Sequence, residues 1–236
     1  MRSGYCEELA EIERRGLDTV DLAVEALDRV LEALALRDAD LARAVVAGDD
    51  LLDERCRRTQ REILTLMARQ APVASDLRTI LGLIDFVSRI ERVGDQCVTI
   101  AKFVALDGRE APADTLLLDC IALMGRLVRE QLVLAKRAFA TRDVPLAEQL
   151  PQLDQRVNLL NREVFQRGIE IGGTADVRRW AMHMTLAARC LERIGDNAVD
   201  VGERVVFVAT GRLREFSDAS HVNGGKVAPR AGDAPG

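Results

Sequence analysis

Twice in this chain two carboxylates stand four residues apart with a glycine just before the second. They are Glu91 and Asp95 in Glu91-Arg-Val-Gly-Asp95, and Glu192 and Asp196 in Glu192-Arg-Ile-Gly-Asp196. On a helix such a pair shares one face, with Cβ atoms roughly 5–6 Å apart. Two like charges at that range repel unless something cationic neutralises them. At about 100° per residue, Glu91 projects about 40° and Asp95 about 80° from the centre of the apolar stripe Ile80, Val87, Gly94, Val98, Ala101 and Ala105. The second pair repeats these offsets around Ala181, Ala188, Gly195, Val199 and Val206, and Asp200 extends its series at i+8. A glycine inside a helix costs about 1 kcal/mol against alanine. Its presence in both motifs therefore implies close approach of another helix or of a ligand.

Asp53 and Asp154 lie near the edges of the stripes on the preceding helices, and Gln60 and Asn161 offer amide oxygens two turns further on. A site built from oxygens alone favours hard cations such as Mg, Ca, Mn or ferric iron over zinc or copper. An ordinary alternative stands beside it: Arg92 with Asp95, Arg189 with Glu192 and Arg193 with Asp196 would form intrahelical ion pairs. His183 falls on the far side of its helix and His221 in the tail, so neither is placed as a ligand or base. The Glu-x-x-His pairs of di-iron carboxylate bundles are absent. So are a nucleophile with its base and a phosphate-cradling glycine loop, and a non-enzymatic role is expected. The alternative is metal storage or a metal-dependent enzyme on the same carboxylates.

The elements that must position these groups come as a repeat. At an offset of 101, Asp53, Arg55, Arg61, Glu62 and Ile63 fall on Asp154, Arg156, Arg162, Glu163 and Val164, as the two glycine motifs also do. Upstream the offset is 105, with Asp38-Ala-Asp-Leu-Ala over Asp143-Val-Pro-Leu-Ala, so the first half carries four extra residues near Gly48. Each half reads as three helices. The first follows the seam Leu17, Val20, Val24, Leu27, Leu31 and Leu34 in one copy and Leu117, Ile121, Met124, Val128, Leu132, Ala135 and Phe139 in the other. Asp38 and Asp143 suit N-caps of the second helices, with Pro145 tolerated in a first turn. Breaks at Ala71-Pro72 and Gly172-Gly173 precede third helices that Ser75 and Thr174 can cap. Asp107-Gly108 with Pro112 separates the copies. The expected fold is all-α, a tandem repeat of two three-helix bundles with six long helices. It divides as 1–107, 108–216 and a tail, 217–236, too poor in apolar periodicity to order.

Composition agrees. Of 236 residues, 48% are hydrophobic and 3% aromatic, with one Trp and one Tyr, which suits helices and not a sandwich or barrel. With 33 basic and 38 acidic side chains the net charge is −5, so no broad basic surface exists for nucleic acid. Cys6, Cys56, Cys97, Cys120 and Cys190 are scattered without metal-ligand spacing and read as buried free thiols in a reducing compartment. Neither a signal peptide nor an apolar run long enough to span a bilayer is present. A cytoplasmic protein that meets membranes only through partners is expected.

Gln70-Ala-Pro-Val-Ala-Ser-Asp-Leu-Arg78, Arg89-Ile-Glu-Arg-Val-Gly-Asp95, Leu191-Glu-Arg-Ile-Gly-Asp-Asn-Ala-Val199 and the stretch from Arg43 to Asp53 resemble the PhoU family of phosphate-uptake regulators, from Met1 to about Gly211. The resemblance implies a duplicated three-helix bundle that restrains the phosphate-specific ABC transporter through its ATPase and passes phosphate status to a sensor histidine kinase. It also implies pairing as homodimers and, in some members, iron or zinc clusters on paired E(D)xxxD motifs. Here those motifs supply Glu91, Asp95, Glu192 and Asp196, with Mg, Mn, Fe or Zn as candidate cations. Gln96 and Asn197 stand where the family commonly has His, and Thr99 where it often has Asn, while Asp200 keeps an oxygen ligand.

Overall fold

A computed structural model describes residues 2–107 and 114–216. The chain before the first break forms α1 (Arg2–Leu36), α2 (Ala39–Gln70) and α3 (Ala74–Asp107). The second half forms α4 (Thr115–Thr141), a four-residue turn α5 (Val144–Ala147), α6 (Leu150–Glu170) and α7 (Ala175–Thr210). Among the described residues there is no strand, and no helix is long and apolar enough to cross a membrane. The expected tail and the Gly108–Pro112 part of the linker lie outside the described residues.

Within each half the three long helices pack on one another. α3 then pairs extensively with α7, and α1 meets α4, so two bundles stand side by side. The seams are those expected, with a refinement in register. Buried Ile12, Ala23, Leu27, Val30, Ala33 and Leu34 of α1 recur as Leu117, Val128, Leu132, Ala135, Ala138 and Phe139 of α4, all at an offset of 105. Leu17, Val24 and Leu31 are only partly buried and flank that core. Two ion pairs cross the α3–α7 junction, Arg89 with Asp200 and Arg204 with Asp85 at 2.9 Å. At its end His183 Nδ1 lies 2.7 Å from Asp107 Oδ1, with Phe103 stacked on the imidazole.

Helix ends follow the sequence with one exception. The carboxylate of Asp38 accepts from the Asp40 and Leu41 N–H groups, and that of Asp143 from Leu146 N–H at 2.9 Å. Thr174 Oγ1 accepts from Val177 N–H, whereas Ser75 lies inside the first turn of α3, two residues too late to cap it. The second helix of the second copy is not continuous. Pro151 lacks the N–H that would bond the carbonyl of Ala147, and the chain turns at Glu148 and Gln149 before α6 begins. The four residues missing from this copy are one helical turn, which α2 retains. Cys56, Cys97 and Cys190 are buried free thiols, but Cys6 is exposed and Cys120 half-buried.

Candidate carboxylate sites of the two repeats

In the first copy α2 and α3 meet tightly at Gly94. A methyl group added there would lie 2.6 Å from Leu52 Cδ2 and 2.8 Å from Asp49 Oδ1. The glycine is therefore a packing necessity, and what it admits is a carboxylate. Asp49 joins Asp53, Glu91 and Asp95 in one electrostatic neighbourhood. Burial first, then the charges of Asp53 and Asp95, push the Asp49 carboxyl from its ordinary 3.8 up to about 6. Glu91 is raised in the same way by burial and by Asp53 and Asp95, and Arg57 and Arg92 only partly oppose the rise. The same acids reach the buried Cys56 thiol, which burial, Glu91 and Asp53 push up to about 12. Counter-charge is sparse: Arg57 approaches Asp53 at 3.3 Å, and among the described residues Arg92 forms no ion pair with Asp95.

The second copy uses the corresponding place differently. A methyl group at Gly195 would lie 2.7 Å from Asp154 Oδ1 and 3.0 Å from Gln131 Oε1. Asp154 is buried and accepts from Gln131 Nε2 at 3.3 Å and Asn158 Nδ2 at 2.8 Å. Glu192 accepts from Asn161 Nδ2 at 2.9 Å and pairs with Arg189. Asp200 faces α3, where Arg89 holds it, and burial raises its carboxyl despite that partner. Asp196, like Asp95, is exposed.

Sequence reasoning placed Glu91, Asp95, Glu192 and Asp196 on corresponding faces, and the structure brings Asp53 to the first pair. It overstated the insulation of both aspartates, which reach solvent. Gln60 and Asn161 act as N–H donors, to Ser88 at 3.2 Å and to Glu192, and not as converging oxygens. Two residues were missed. Asp49 lies in the segment where the sequence offset changes; by contact with the motif glycine, it and not Asp53 is the spatial partner of Asp154. Gln131 had a signal, an amide inside the otherwise apolar α4 seam between Val128 and Leu132.

As the side chains stand, no group of three or more His, Cys, Asp or Glu among the described residues is gathered closely enough to hold a metal ion. The first copy nevertheless carries the donor chemistry of a hard-cation site: several oxygens, charge that Arg57, Arg92 and Lys102 compensate only in part, and little competing N–H. In the second copy a cation would have to displace amide and guanidinium partners.

Comparison with known proteins places these features in context. A family model described as the PhoU domain matches residues 18–104 and again 121–205. A phosphate-specific transport system accessory protein PhoU homolog 1 of Mycobacterium leprae is 32% identical over 91% of this chain and 96% of its own. The accessory protein PhoU homolog of Caulobacter vibrioides is 32% identical over 88% of this chain and 90% of its own. Crystal structures of PhoU from Pseudomonas aeruginosa and of the phosphate transport system regulatory protein PhoU from Streptococcus pneumoniae superpose with TM-scores of 0.78 and 0.77. They share 27% and 25% identity and cover 88% and 90% of this chain and all of their own.

Proposed function

The chain belongs to the PhoU family, and from that premise we propose that it is a cytoplasmic negative regulator of phosphate uptake and phosphate-starvation signalling. It acts by binding, as a homodimer, the ATPase of a phosphate ABC transporter and a sensor histidine kinase, and reaches the membrane only through them. The observation that carries this reading is similarity to phosphate-specific transport system accessory proteins along nine tenths of the chain. The residues support it from the side of chemistry. Strongly perturbed carboxyls are the usual candidates for acid–base work, but the titratable neighbours of Asp49 and Glu91 are other acids, the cations Arg57, Arg92 and Lys102, and a buried thiol that burial keeps protonated, and none of these is a nucleophile paired with a base. The face is better suited to binding cations or basic surfaces than to moving protons on a substrate. Deleting the gene should raise phosphate uptake in phosphate-replete cells and switch on starvation genes, and supplying the chain should reverse both. Uptake and gene expression unchanged by the deletion would contradict the reading.

A second reading concerns the cation. We propose that Asp53, Glu91 and Asp95, with Asp49, take up a divalent or ferric cation in the first copy, and that Asp154, Glu192, Asp196 and Asp200 form the weaker counterpart. Such an ion would supply counter-charge to the cluster. The chain's own part is to hold the carboxylates on one α2–α3 face, with Gly94 allowing the helices close enough to share it.

A further inference from the structure

Beyond α7 the chain doubles back. Gly211, in the left-handed region at φ 76°, closes the helix by donating its N–H to the Phe207 carbonyl. Residues 211–216 then run as an irregular strap to the break between α5 and α6. Three contacts hold the strap. The Phe216 ring packs on buried Gly202, where an added methyl group would lie 3.1 Å from Phe216 Cε2, 2.7 Å from Leu150 Cδ1 and 3.3 Å from the Ala147 carbonyl oxygen. The Phe216 N–H donates to Glu203 Oε1 at 2.7 Å. Arg214 pairs with Glu148, a residue of the break itself, and its guanidinium lies over the Phe216 ring, 5.7 Å from the centre. None of the three is inherited from the duplicated fold. In the two offsets that relate the copies, the first has Ala101 for Gly202, Lys102 for Glu203 and Arg43 for Glu148. Those residues would put a methyl group in the slot, a donor where an acceptor is needed, and a cation against a cation. The strap is also lightly held. Leu213 is 76% exposed, the Arg214–Glu148 pair is open to solvent on both sides and such pairs contribute little, while ordering the strap costs backbone entropy.

We propose that Gly202, Glu203 and Glu148, with Leu150, form a binding site for short peptide segments of the form Arg-x-Phe, and that the chain's own strap is its releasable resident. Glu148 reads the guanidinium. Gly202, beside Leu150, leaves the room that the aromatic ring fills. Glu203 accepts the backbone N–H of the aromatic residue, which fixes how the segment lies in the site. A tethered occupant acts at an effective concentration on the order of millimolar, so the docked strap closes the site to any segment of the same chemistry in solution, and release of the strap opens it. The proposal depends on neither the regulator reading nor the cation sites.

The test uses the full chain and a fluorescent, C-terminally amidated peptide with the sequence of residues 211–216. The parent should bind it weakly because the site is filled, and F216A, which empties the slot, should bind it at least about tenfold more tightly. Adding E148R to F216A should remove the gain, and a peptide with alanine in place of phenylalanine should not bind either protein. A second measurement needs no peptide: tryptic cleavage after Arg214, which docking slows, should be at least about threefold faster in F216A and in E148R than in the parent. Glu148 is exposed, so E148R frees the strap without touching the core, and melting curves show that each variant is folded. Equal peptide affinity of the parent and F216A, affinity unmoved by E148R, equal binding of the alanine peptide, or cleavage unchanged in both variants would each overturn the proposal.

Discussion

The two repeats place the same motif at the same glycine contact and balance its charge in opposite ways. In the first, Asp49, Asp53, Glu91 and Asp95 crowd together, and the crowding is visible as raised carboxyls. In the second, the buried aspartate is held by two amides, and Glu192 has an amide and a guanidinium. One substitution accounts for part of this: Arg189, which neutralises Glu192, stands where the first copy has Ser88. Duplication preserved the backbone face, and the side chains around it then separated into an open acidic site and a closed polar one.

That difference is broken most severely at Asp154. Replacing Asp154 by Ala strands the amide of Gln131, which is fully buried, and should destabilise the chain by about 2 kcal/mol. Asp53→Ala removes a repelling charge and one long ion pair, and should change stability by no more than about 0.5 kcal/mol. Denaturant unfolding of the two variants measures both; similar losses would erase the contrast.

A smaller effect is expected from pH. Asp49 titrates above its ordinary value in the folded chain, so its protonation favours folding. That contribution is complete below 3.8 and is lost as the pH rises through about 6. Glu91 shifts in the same direction. Acidifying from pH 7 toward 5 should therefore raise the melting temperature through this site, and Asp49→Asn should remove part of the rise while Asp154→Asn does not. A rise identical in the parent and Asp49→Asn would locate the titration elsewhere. The smallest effect belongs to Arg189→Ala, which removes an exposed i,i+3 partner of Glu192 and should cost under about 1 kcal/mol. If it costs more, the second copy depends on that guanidinium as much as on its amides.

The sequence revealed the repeat, the six long helices and the four motif carboxylates because periodicity and internal offsets are local signals. It did not reveal that Asp49 faces Gly94. The best sequence register pairs Asp53 with Asp154, and only contact across two helices shows Asp154 against its glycine one turn out of that register. The break before Leu150 was foreshadowed by Pro151 and by the missing turn, yet Pro145 is accommodated within α5, so proline alone did not mark the boundary. Which carboxylates would be neutralised depended on long side chains such as Arg189, Asn161 and Gln131, whose reach no spacing rule specifies.

The central claim is that the first copy is an only partly compensated acidic site able to take a cation and the second is already satisfied. The most direct test follows thermal unfolding of the chelator-treated chain while Mn, Mg or ferric iron is added back. A ligand that binds the folded form alone raises stability with its concentration relative to its dissociation constant. The account predicts a rise in melting temperature that is abolished by E91Q with D95N and retained by E192Q with D196N. No response to any of the three metals, or a response lost equally in both double variants, would contradict it.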